Sequence, residues 1–189
     1  MKSLANLLNQ PIGFPITADA ILETHAARLL LLIRECGLST RSKPACRIDG
    51  LTKFAKLDFF VRYPTYFQRA AERLGFDVKP ATETVESTMV RFHYGPWDKR
   101  YYQVIPYLEA KRLISVEKIG SQYRFALTDE GLNIANRLNK FTEYEDMVRH
   151  MQQVKAVMGS KSGNELKVLI YDVFDLEVTQ QRLGATILP

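Results

Sequence analysis

The stretch that decides the fold is LISVEKIGSQYRFAL, residues 113–127 of the chain. Two runs rich in β-forming residues, 113–119 and 123–127, lie on either side of Gly120-Ser121-Gln122. Two such runs around a short segment that contains glycine predict a β-hairpin. Thr128 follows directly and is a good N-cap for a further helix, whose first turn holds two acidic residues.

A helix is predicted immediately before the hairpin, over residues 96–113. Pro96 suits a first helical turn, and Asp98 is favourable near the positive end of the helix dipole. Pro106 lacks a backbone donor, so it is expected to kink this helix or to split it. Helix, short hairpin and helix in this order predict the second half of a winged helix, with the hairpin as the wing and the first helix in the recognition position.

The rest of the chain is predicted to be mainly helical. Thr17 or Asp19 is expected to cap a helix that runs to about Cys36, with a loop over residues 38–46 after it. Two helices follow, separated at Pro64, and Asp58 and Arg62 are spaced to pair on the first of them. A strand over residues 84–94 and C-terminal helices over 144–158 and 166–174 complete the set.

These elements predict an α+β protein, a winged helix-turn-helix with helical extensions at both ends. The expected organisation is an N-terminal arm (1–16), a helical N-terminal region (17–80), a winged-helix region (81–140) and a C-terminal helical extension (141–189). The arm carries leucines and then prolines, so it could dock on another surface.

The composition excludes several classes of protein. The 189 residues carry 26 Lys and Arg against 21 Asp and Glu, and 46% of them are hydrophobic, which is ordinary for a globular protein. No apolar run approaches the length of about 20 residues that a membrane span needs. Cys36 and Cys46 match no zinc or redox spacing and are expected to be free thiols. We therefore expect a cytoplasmic protein that does not contact membranes.

The net charge of +5 is distributed unevenly. Residues 1–80 have a net charge of +5, residues 81–140 of +2 and residues 141–189 of −2. A basic body with a mildly acidic tail permits contact with a polyanion but does not require it.

No enzyme site emerges from the sequence. Residues 159–163, GSKSG, lack the order and the preceding strand of a phosphate-binding loop and are interpreted as a linker. Of the acidic-x-Lys pairs that a metal-dependent nuclease would need, only Asp77 and Lys79 could lie near a strand. His25 lies on a buried helix and is expected to be a hydrogen-bonded structural residue. We expect no catalytic residues, no metal and no cofactor.

The candidate nucleic-acid surface combines the helix before the hairpin with the hairpin itself. Cations there could reach phosphates and a glutamine could read an adenine edge. Its residues are Lys99, Arg100, Gln103, Lys111, Lys118 and Arg124. A second basic set comprises Lys53, Lys56, Arg69 and Arg73. The simpler interpretation of both sets is the solvated side of amphipathic helices. Among the aromatic residues, Trp97 and Tyr102 are candidates for contact with a partner protein.

Two longer stretches carry a resemblance to a known family. They are RIDGLTKFAKLDFFVRYP, residues 47–64, and RFHYGPWDKRYY, residues 91–102. In this order, with the hairpin behind them, they resemble the small middle-component subunits of bacterial ABC three-component anti-phage systems, the group that includes Lamassu. The resemblance covers residues 26–138.

The resemblance implies a non-catalytic subunit that bridges an SMC/Rad50-like ATPase and an effector, commonly a nuclease, with auxiliary contact to double-stranded DNA. By analogy with other small winged-helix partners of SMC proteins, the winged helix is expected to bind protein as readily as DNA. The alternative is a stand-alone winged-helix DNA-binding transcriptional regulator, which would be a homodimer on a palindromic site. A nuclease that uses Asp77 is a third possibility.

Overall fold

The predicted hairpin lies at one edge of an antiparallel sheet that draws its strands from distant parts of the chain. The computed structural model describes residues 1–9, 17–40, 43–79 and 88–188. The α-helices of the described residues are α1 (Leu22–Cys36), α2 (Leu51–Arg62), α3 (Pro64–Arg73), α4 (Tyr101–Ala110), α5 (Asp129–Leu138), α6 (Glu145–Met158) and α7 (Gly163–Val173). The strands are β1 (Leu38–Thr40), β2 (Lys43–Asp49), β3 (Met89–Phe92), β4 (Gly95–Trp97), β5 (Ile114–Ile119), β6 (Gln122–Leu127) and β7 (Thr186–Ile187). The protein is therefore α+β and mainly helical, as predicted.

The two sheets are both antiparallel. The larger has the strand order β1-β2-β6-β5, and the smaller has the order β4-β3-β7. Within the larger sheet Ile48 pairs with Phe125, so β2 lies against β6 although more than 70 residues separate them in sequence. The sheet thus joins the predicted regions 17–80 and 81–140.

The hairpin and the helix after it are confirmed. Ile119 pairs with Gln122, which leaves Gly120 and Ser121 as the turn, and Gly120 has a positive φ of 60°. Glycine adopts this left-handed conformation at little cost. Thr128 caps α5 as predicted, because its hydroxyl oxygen accepts a hydrogen bond of 3.0 Å from the backbone N–H of Gly131.

The helix α1 forms the centre of the core. Its residues 29–33 are each 2% exposed or less, which confirms the prediction of a helix buried on several sides. It contacts α2, α4, α5 and α6 as well as the larger sheet. An apolar residue on nearly every face is what such a central position requires.

The predicted start of α1 is wrong. Thr17 precedes only a short 3₁₀ turn and makes no capping bond through its side chain, and α1 begins at Leu22. The chain's N-terminus supplies the missing acceptor, since the carbonyl of Lys2 accepts a 2.7 Å hydrogen bond from Leu22 N. Glu23 then accepts bonds from the Ser3 hydroxyl and from Leu4 N. The first residues of the predicted arm therefore dock on the chain's own helix, and residues 10–16 lie outside the described part.

The loop predicted over residues 38–46 is also wrong. Residues 38–40 and 43–49 form β1 and β2, which pair with each other. A polar stretch containing proline is typical of a loop, but here the two strands pair with each other, and residues 47–49 of β2 also pair with β6, a distant contact that local sequence does not reveal. The predicted strand 84–94 is confirmed for Met89–Phe92, while its residues 84–87 fall outside the described residues.

The helix before the hairpin is shorter than predicted. Pro96 lies in β4 rather than in a first helical turn, and α4 begins at Tyr101. The expected split at Pro106 does not occur, because α4 continues through it. Pro106 lies on the exposed side of the helix, where water can solvate the carbonyl that loses its donor.

The C-terminal helices agree with the predictions, since α6 and α7 occupy the expected segments. The residues between them form a turn in which Ser162 and Glu165 make a capping box at the start of α7. None of the helices in the described part of the chain combines the length and the apolar character that a membrane crossing requires.

Candidate nucleic-acid interface

The solvent face of α4 carries one of the residues predicted to bind DNA, Gln103. Tyr101 and Leu108 turn into the core, while Gln103 and Tyr102 are exposed. Lys99 is exposed just before the helix begins. An exposed glutamine beside a lysine at a helix N-terminus has the donor and acceptor groups that a base edge and a phosphate require.

Two further predicted cations are exposed beyond the end of this helix. Lys111 follows α4, and its Nζ lies 5.8 Å from the centre of the Tyr107 ring. Lys118 lies on β5 opposite Tyr123 and projects from the hairpin near its tip. Lys99, Gln103, Lys111 and Lys118 are therefore available to a ligand in solution.

The two arginines of the same predicted surface are engaged in ion pairs. Arg100 Nε lies 2.8 Å from Asp98 Oδ1 and its guanidinium also reaches the carbonyl of Thr88. Arg124 Nε lies 2.8 Å from Asp49 Oδ1, and both side chains are about one-third exposed. A phosphate would have to compete with these carboxylates for Arg100 and Arg124.

The second basic set does not form one surface. Lys56, which was predicted to contact phosphate, is only 1% exposed and its Nζ donates a 3.0 Å hydrogen bond to the carbonyl of Pro96, so this ammonium is not accessible at the surface. Burial, reinforced by the positive charges of Lys167 and Arg91, lowers the pKa of Lys56 to about 7. Lys53 is half-buried and donates a 2.8 Å bond to the carbonyl of Gly159, at the C-terminal end of α6.

Arg69 and Arg73 form ion pairs with the C-terminal part of the chain. Arg69 pairs with Glu177 at 2.7 Å, and Arg73 pairs with Asp172 at 3.1 Å. Both arginines are exposed, which agrees with the simpler interpretation that they belong to a solvated face. They share this face with acidic residues of the C-terminal region rather than with Lys53.

The two residues predicted to contact a partner lie together. The Tyr102 ring is 65% exposed, and its centre lies 5.9 Å from the centre of the Trp97 ring. Trp97 is half-buried, stacked on Phe92 at 5.9 Å and edge-on to Tyr101 at 5.2 Å. The Trp97 Nε1 donor has no hydrogen-bond partner among the described residues. Because this Nε1 atom is buried, the aromatic patch offers a partner ring surface, beside Lys99 and Gln103, rather than this donor.

Beneath α4 lies a buried charge network, most of which was not predicted from the sequence. Arg28 Nε donates to Asp58 Oδ1 at 2.9 Å, and the Tyr101 hydroxyl donates to Asp58 Oδ2 at 2.6 Å. Arg62 lies 3.6 Å from Asp58, as predicted, and also 2.6 Å from Asp98. All five side chains are 3% exposed or less.

The electrostatics of this network keep Asp98 charged. Burial alone would raise the pKa of the Asp98 carboxyl, but Arg62 and Arg100 outweigh it and hold this pKa below its ordinary value. The same burial, together with the charge of Asp58, raises the pKa of Tyr101 well above its ordinary value. Each charged member has an opposite charge in contact, as buried charges require.

The network belongs to both stretches that carry the family resemblance. Asp58 and Arg62 belong to residues 47–64, and Asp98 and Tyr101 belong to residues 91–102. Only the Asp58 and Arg62 spacing is visible in the sequence. Arg28 gives no such signal, because it lies among the leucines of α1 and its partner is 30 residues away.

The candidate catalytic residues do not assemble into a site. Asp77 and Lys79 are exposed in an irregular segment after α3 and not on a strand. His25 is fully buried with its Nδ1 2.9 Å from Arg28, in agreement with a structural role. Within the described residues Cys36 and Cys46 are free thiols, and no group of three His, Cys, Asp or Glu is placed to hold a metal ion.

Comparison of the chain with protein-family models, with curated protein sequences and with solved structures finds no match.

Proposed function

We propose that the chain is a non-catalytic accessory subunit of an anti-phage defence complex, bridging an SMC/Rad50-like ATPase and an effector nuclease in the cytoplasm. The proposal rests on the family resemblance carried by residues 47–64 and 91–102, and it is supported by a buried network that joins these two stretches. Arg62 contacts Asp98 and Tyr101 contacts Asp58, while the Lys56 ammonium contacts the Pro96 carbonyl. Because these side chains are engaged with one another and with the backbone, they hold the scaffold in position, and none of them is available to take part in a reaction.

The fold supports a winged helix interrupted by an insertion. The elements α1, β2, α2, α4, β5 and β6 follow in the order helix, strand, helix, helix and hairpin, and the first of these strands pairs with the last. This is the strand pairing expected of a winged helix. Residues 63–100, with α3, β3 and β4, stand between its second and third helices. The helix α4 would then occupy the recognition position.

The proposed bridge requires surfaces for two partners. One is the aromatic patch of Trp97 and Tyr102, because an exposed tyrosine over a partly buried tryptophan is typical of binding hot spots. The other lies in the acidic C-terminal part, where Leu176, Leu183 and Leu188 are 57–68% exposed. Auxiliary contact with DNA would involve Lys99, Gln103, Lys111 and Lys118, the predicted residues that remain exposed.

Co-purification from the native host tests this function. We expect a tagged full-length chain to bring down an ATPase with SMC-like coiled coils and a nuclease, both encoded beside it. Tyr102→Ala should lower the recovery of at least one of them. Phe141→Ala is the matched control, because Phe141 is also an exposed aromatic residue, at 53% exposed, outside the patch. Recovery of the tagged chain without an ATPase would contradict the proposal.

A stand-alone transcriptional regulator is the second candidate, favoured by the exposed Gln103 on α4. It predicts a homodimer that binds its own promoter with a steep dependence on salt concentration. Size-exclusion chromatography with light scattering and a promoter-binding assay distinguish it from the first candidate. A monomer without affinity for its own promoter would exclude the regulator.

A further inference from the structure

A cleft of about 590 Å³ opens on the side of the molecule where α2 begins. The tip of the β5–β6 hairpin and the turn into α7 form its other walls, and Gly50 N donates a 2.7 Å bond to the carbonyl of Tyr123 where α2 meets the hairpin. Its lining includes Lys53, Lys161, Lys167, Tyr94 and Tyr123. The volume is within the range of small-molecule sites.

The lysines of this cleft outnumber the acidic charge near them, although Lys53 and Lys161 lie close enough to Glu165 to contribute to the lowering of its pKa. Among the described residues neither Lys161 nor Lys167 makes an ion pair, and the Lys167 Nζ lies 5.9 Å from the centre of the Tyr94 ring. Lys53 is half-buried, and among the described residues its ammonium donates a hydrogen bond to the carbonyl of Gly159. Burial, and then the charge of Lys155, lowers the pKa of Lys53.

The carboxylates that line the cleft are already engaged. Asp49 accepts hydrogen bonds from Arg124 at 2.8 Å and from Arg47 at 3.3 Å. Glu165 accepts a 2.7 Å bond from the backbone N–H of Ser162, as part of the capping box of α7. Two arginines compensate Asp49, so three lysines face the single charge of Glu165 and the cavity retains a net positive charge that an anion would neutralise.

Aromatic surface accompanies this charge. Tyr94 is 63% exposed and Tyr123 is 45% exposed, and both line the cleft. Tyrosine rings are platforms on which nucleobases stack. Exposed rings beside uncompensated lysines fit a ligand that has both a phosphate and a base.

We propose that this cleft binds a nucleotide unit, with its phosphate among Lys53, Lys161 and Lys167 and its base against Tyr94 or Tyr123. The unit could come from a free nucleotide or from the end of a single-stranded nucleic acid. A double helix cannot enter a cavity of this volume. The cleft is therefore distinct from the exposed face of α4, where duplex DNA is proposed to lie.

The mode of binding differs from that of a phosphate-binding loop. Such a loop surrounds phosphates with its backbone N–H groups after a strand. Residues 159–163 instead follow the helix α6, and their contribution is the side chain of Lys161. Lys53 and Lys167 reach the same cavity from α2 and α7, so side chains from three segments hold the phosphate.

Binding of defined probes to the full-length chain tests the proposal. The probes are ATP, a 5′-phosphorylated oligo-dT, tripolyphosphate and inorganic phosphate, each titrated in a calorimeter. We expect saturable binding of ATP or of the oligonucleotide, weakened about tenfold or more by Lys161→Glu with Lys167→Glu, which reverses the charge inside the cleft. Lys79→Glu with Lys140→Glu makes the same change at exposed positions outside the cleft and should alter affinity less than about twofold.

A second pair of variants separates binding from structure. Lys53 is half-buried and donates to the carbonyl of Gly159 at the end of a helix. Lys53→Gln should weaken binding, while Lys53→Arg, which keeps the positive charge and a donor at the same position, should bind about as tightly as wild type. Circular dichroism melts of each variant report whether its fold is retained.

Substitution of the two tyrosines tests whether the base of the ligand stacks on them. Tyr94→Ala with Tyr123→Ala should weaken binding of ATP or of the oligonucleotide but leave tripolyphosphate unaffected. Equal loss for both ligands would contradict base stacking, and inorganic phosphate bound as tightly as ATP would do the same. Absence of saturable binding to ATP and to the oligonucleotide overturns the proposal outright. None of these results depends on whether an ATPase co-purifies, so the two proposals fail separately.

Discussion

The guanidinium of Arg62 lies 2.6 Å from the carboxylate of Asp98, and neither side chain is more than 3% exposed. This contact joins the last turn of α2 to the turn that precedes α4. Asp58, one helical turn earlier on α2, receives Arg28 from α1 and the Tyr101 hydroxyl from α4. Three helices are thereby fixed by charged groups and not only by apolar packing, so the position of α4 depends on the network being complete.

Loss of Arg62 should be costly. Arg62→Met leaves Asp98 buried without its closest cation, and we expect the free energy of unfolding to fall by about 3–5 kcal/mol. Arg149→Met is the matched control, because Arg149 also contacts two carboxylates from a helix, those of Glu145 and Asp146, but is 59% exposed. Exposed pairs contribute about 1 kcal/mol or less. Urea unfolding measures both, and similar losses for the two variants would contradict the role given to the network.

The elements predicted correctly are those that local chemistry determines. Gly120 permits the turn of the hairpin and Thr128 supplies an acceptor to the start of α5, and both residues are adjacent to the structure that they organise. Strands β1 and β2 were missed because residues 38–46 are polar and contain proline, although the two strands pair with each other, and residues 47–49 pair with β6, which is distant in sequence. Residue propensities and hydrophobic patterns reflect interactions between neighbours along the chain, so they do not reveal pairing between strands that are distant in sequence.

The candidate site was predicted only in part, for a similar reason. The exposed positions Lys99, Gln103, Lys111 and Lys118 follow from helical and hairpin geometry. The burial of Lys56 does not, since a lysine off the apolar face of α2 becomes buried only when β4 covers it. Lys53, Lys161 and Lys167 share a cleft although more than 100 residues separate the first from the others, so nothing in their spacing indicates it.

Lys56 should make stability depend on pH. Its pKa of about 7 in the folded protein is below the ordinary value of 10.5, so the unfolded chain binds more protons between these values. The free energy of unfolding attributable to Lys56 therefore rises with pH across this window, by up to about 1.4 kcal/mol per pH unit. This contribution of Lys56 to the free energy of unfolding is lowest at and below pH 7, because Lys56 is then protonated and the folded protein must bury its positive charge.

The variant Lys56→Met isolates this effect. Relative to wild type, Lys56→Met should be most favourable near pH 6 and lose that advantage steadily up to about pH 10. Subtracting the two stability curves removes the contribution of other groups, such as Cys36, whose pKa burial raises to about 12. Lys140→Met, at an exposed position, controls for loss of a lysine. A difference between Lys56→Met and wild type that is constant with pH would show that Lys56 stays charged.

Gly131 should be required for the close approach of α5 to the hairpin. A Cβ atom added at Gly131 would lie 1.8 Å from the carbonyl oxygen of Leu113 and 2.7 Å from its carbon, both of them backbone atoms. The helix must move to accept alanine, and we expect Gly131→Ala to cost about 2–3 kcal/mol despite the better helix propensity of alanine. Asn133→Ala, at an exposed position of the same helix, should be neutral or slightly stabilising. Thermal unfolding of the two variants distinguishes a steric cost from a propensity effect.

Charge reversal on the exposed face tests whether DNA lies against α4 and the hairpin. Lys111 and Lys118 are the positions to change, because both are exposed and neither makes an ion pair among the described residues. Arg124→Glu would also break its contact with Asp49, so loss of binding there would have two explanations. Lys79→Glu with Lys140→Glu again matches the change in charge at a distance from the surface.

If phosphates contact this face, Lys111→Glu with Lys118→Glu should weaken binding of duplex DNA to the assembled complex. Each lost phosphate contact should also lower the slope of log affinity against log salt by about 0.9, so the double variant should lose nearly two units of slope. If the face instead contacts the ATPase, the same variant should dissociate the complex, because four units of charge change at an interface built for the native charges. If the affinity for DNA is unchanged and the complex stays intact, the two lysines belong to an ordinary solvated surface, which is the simpler interpretation of their positions.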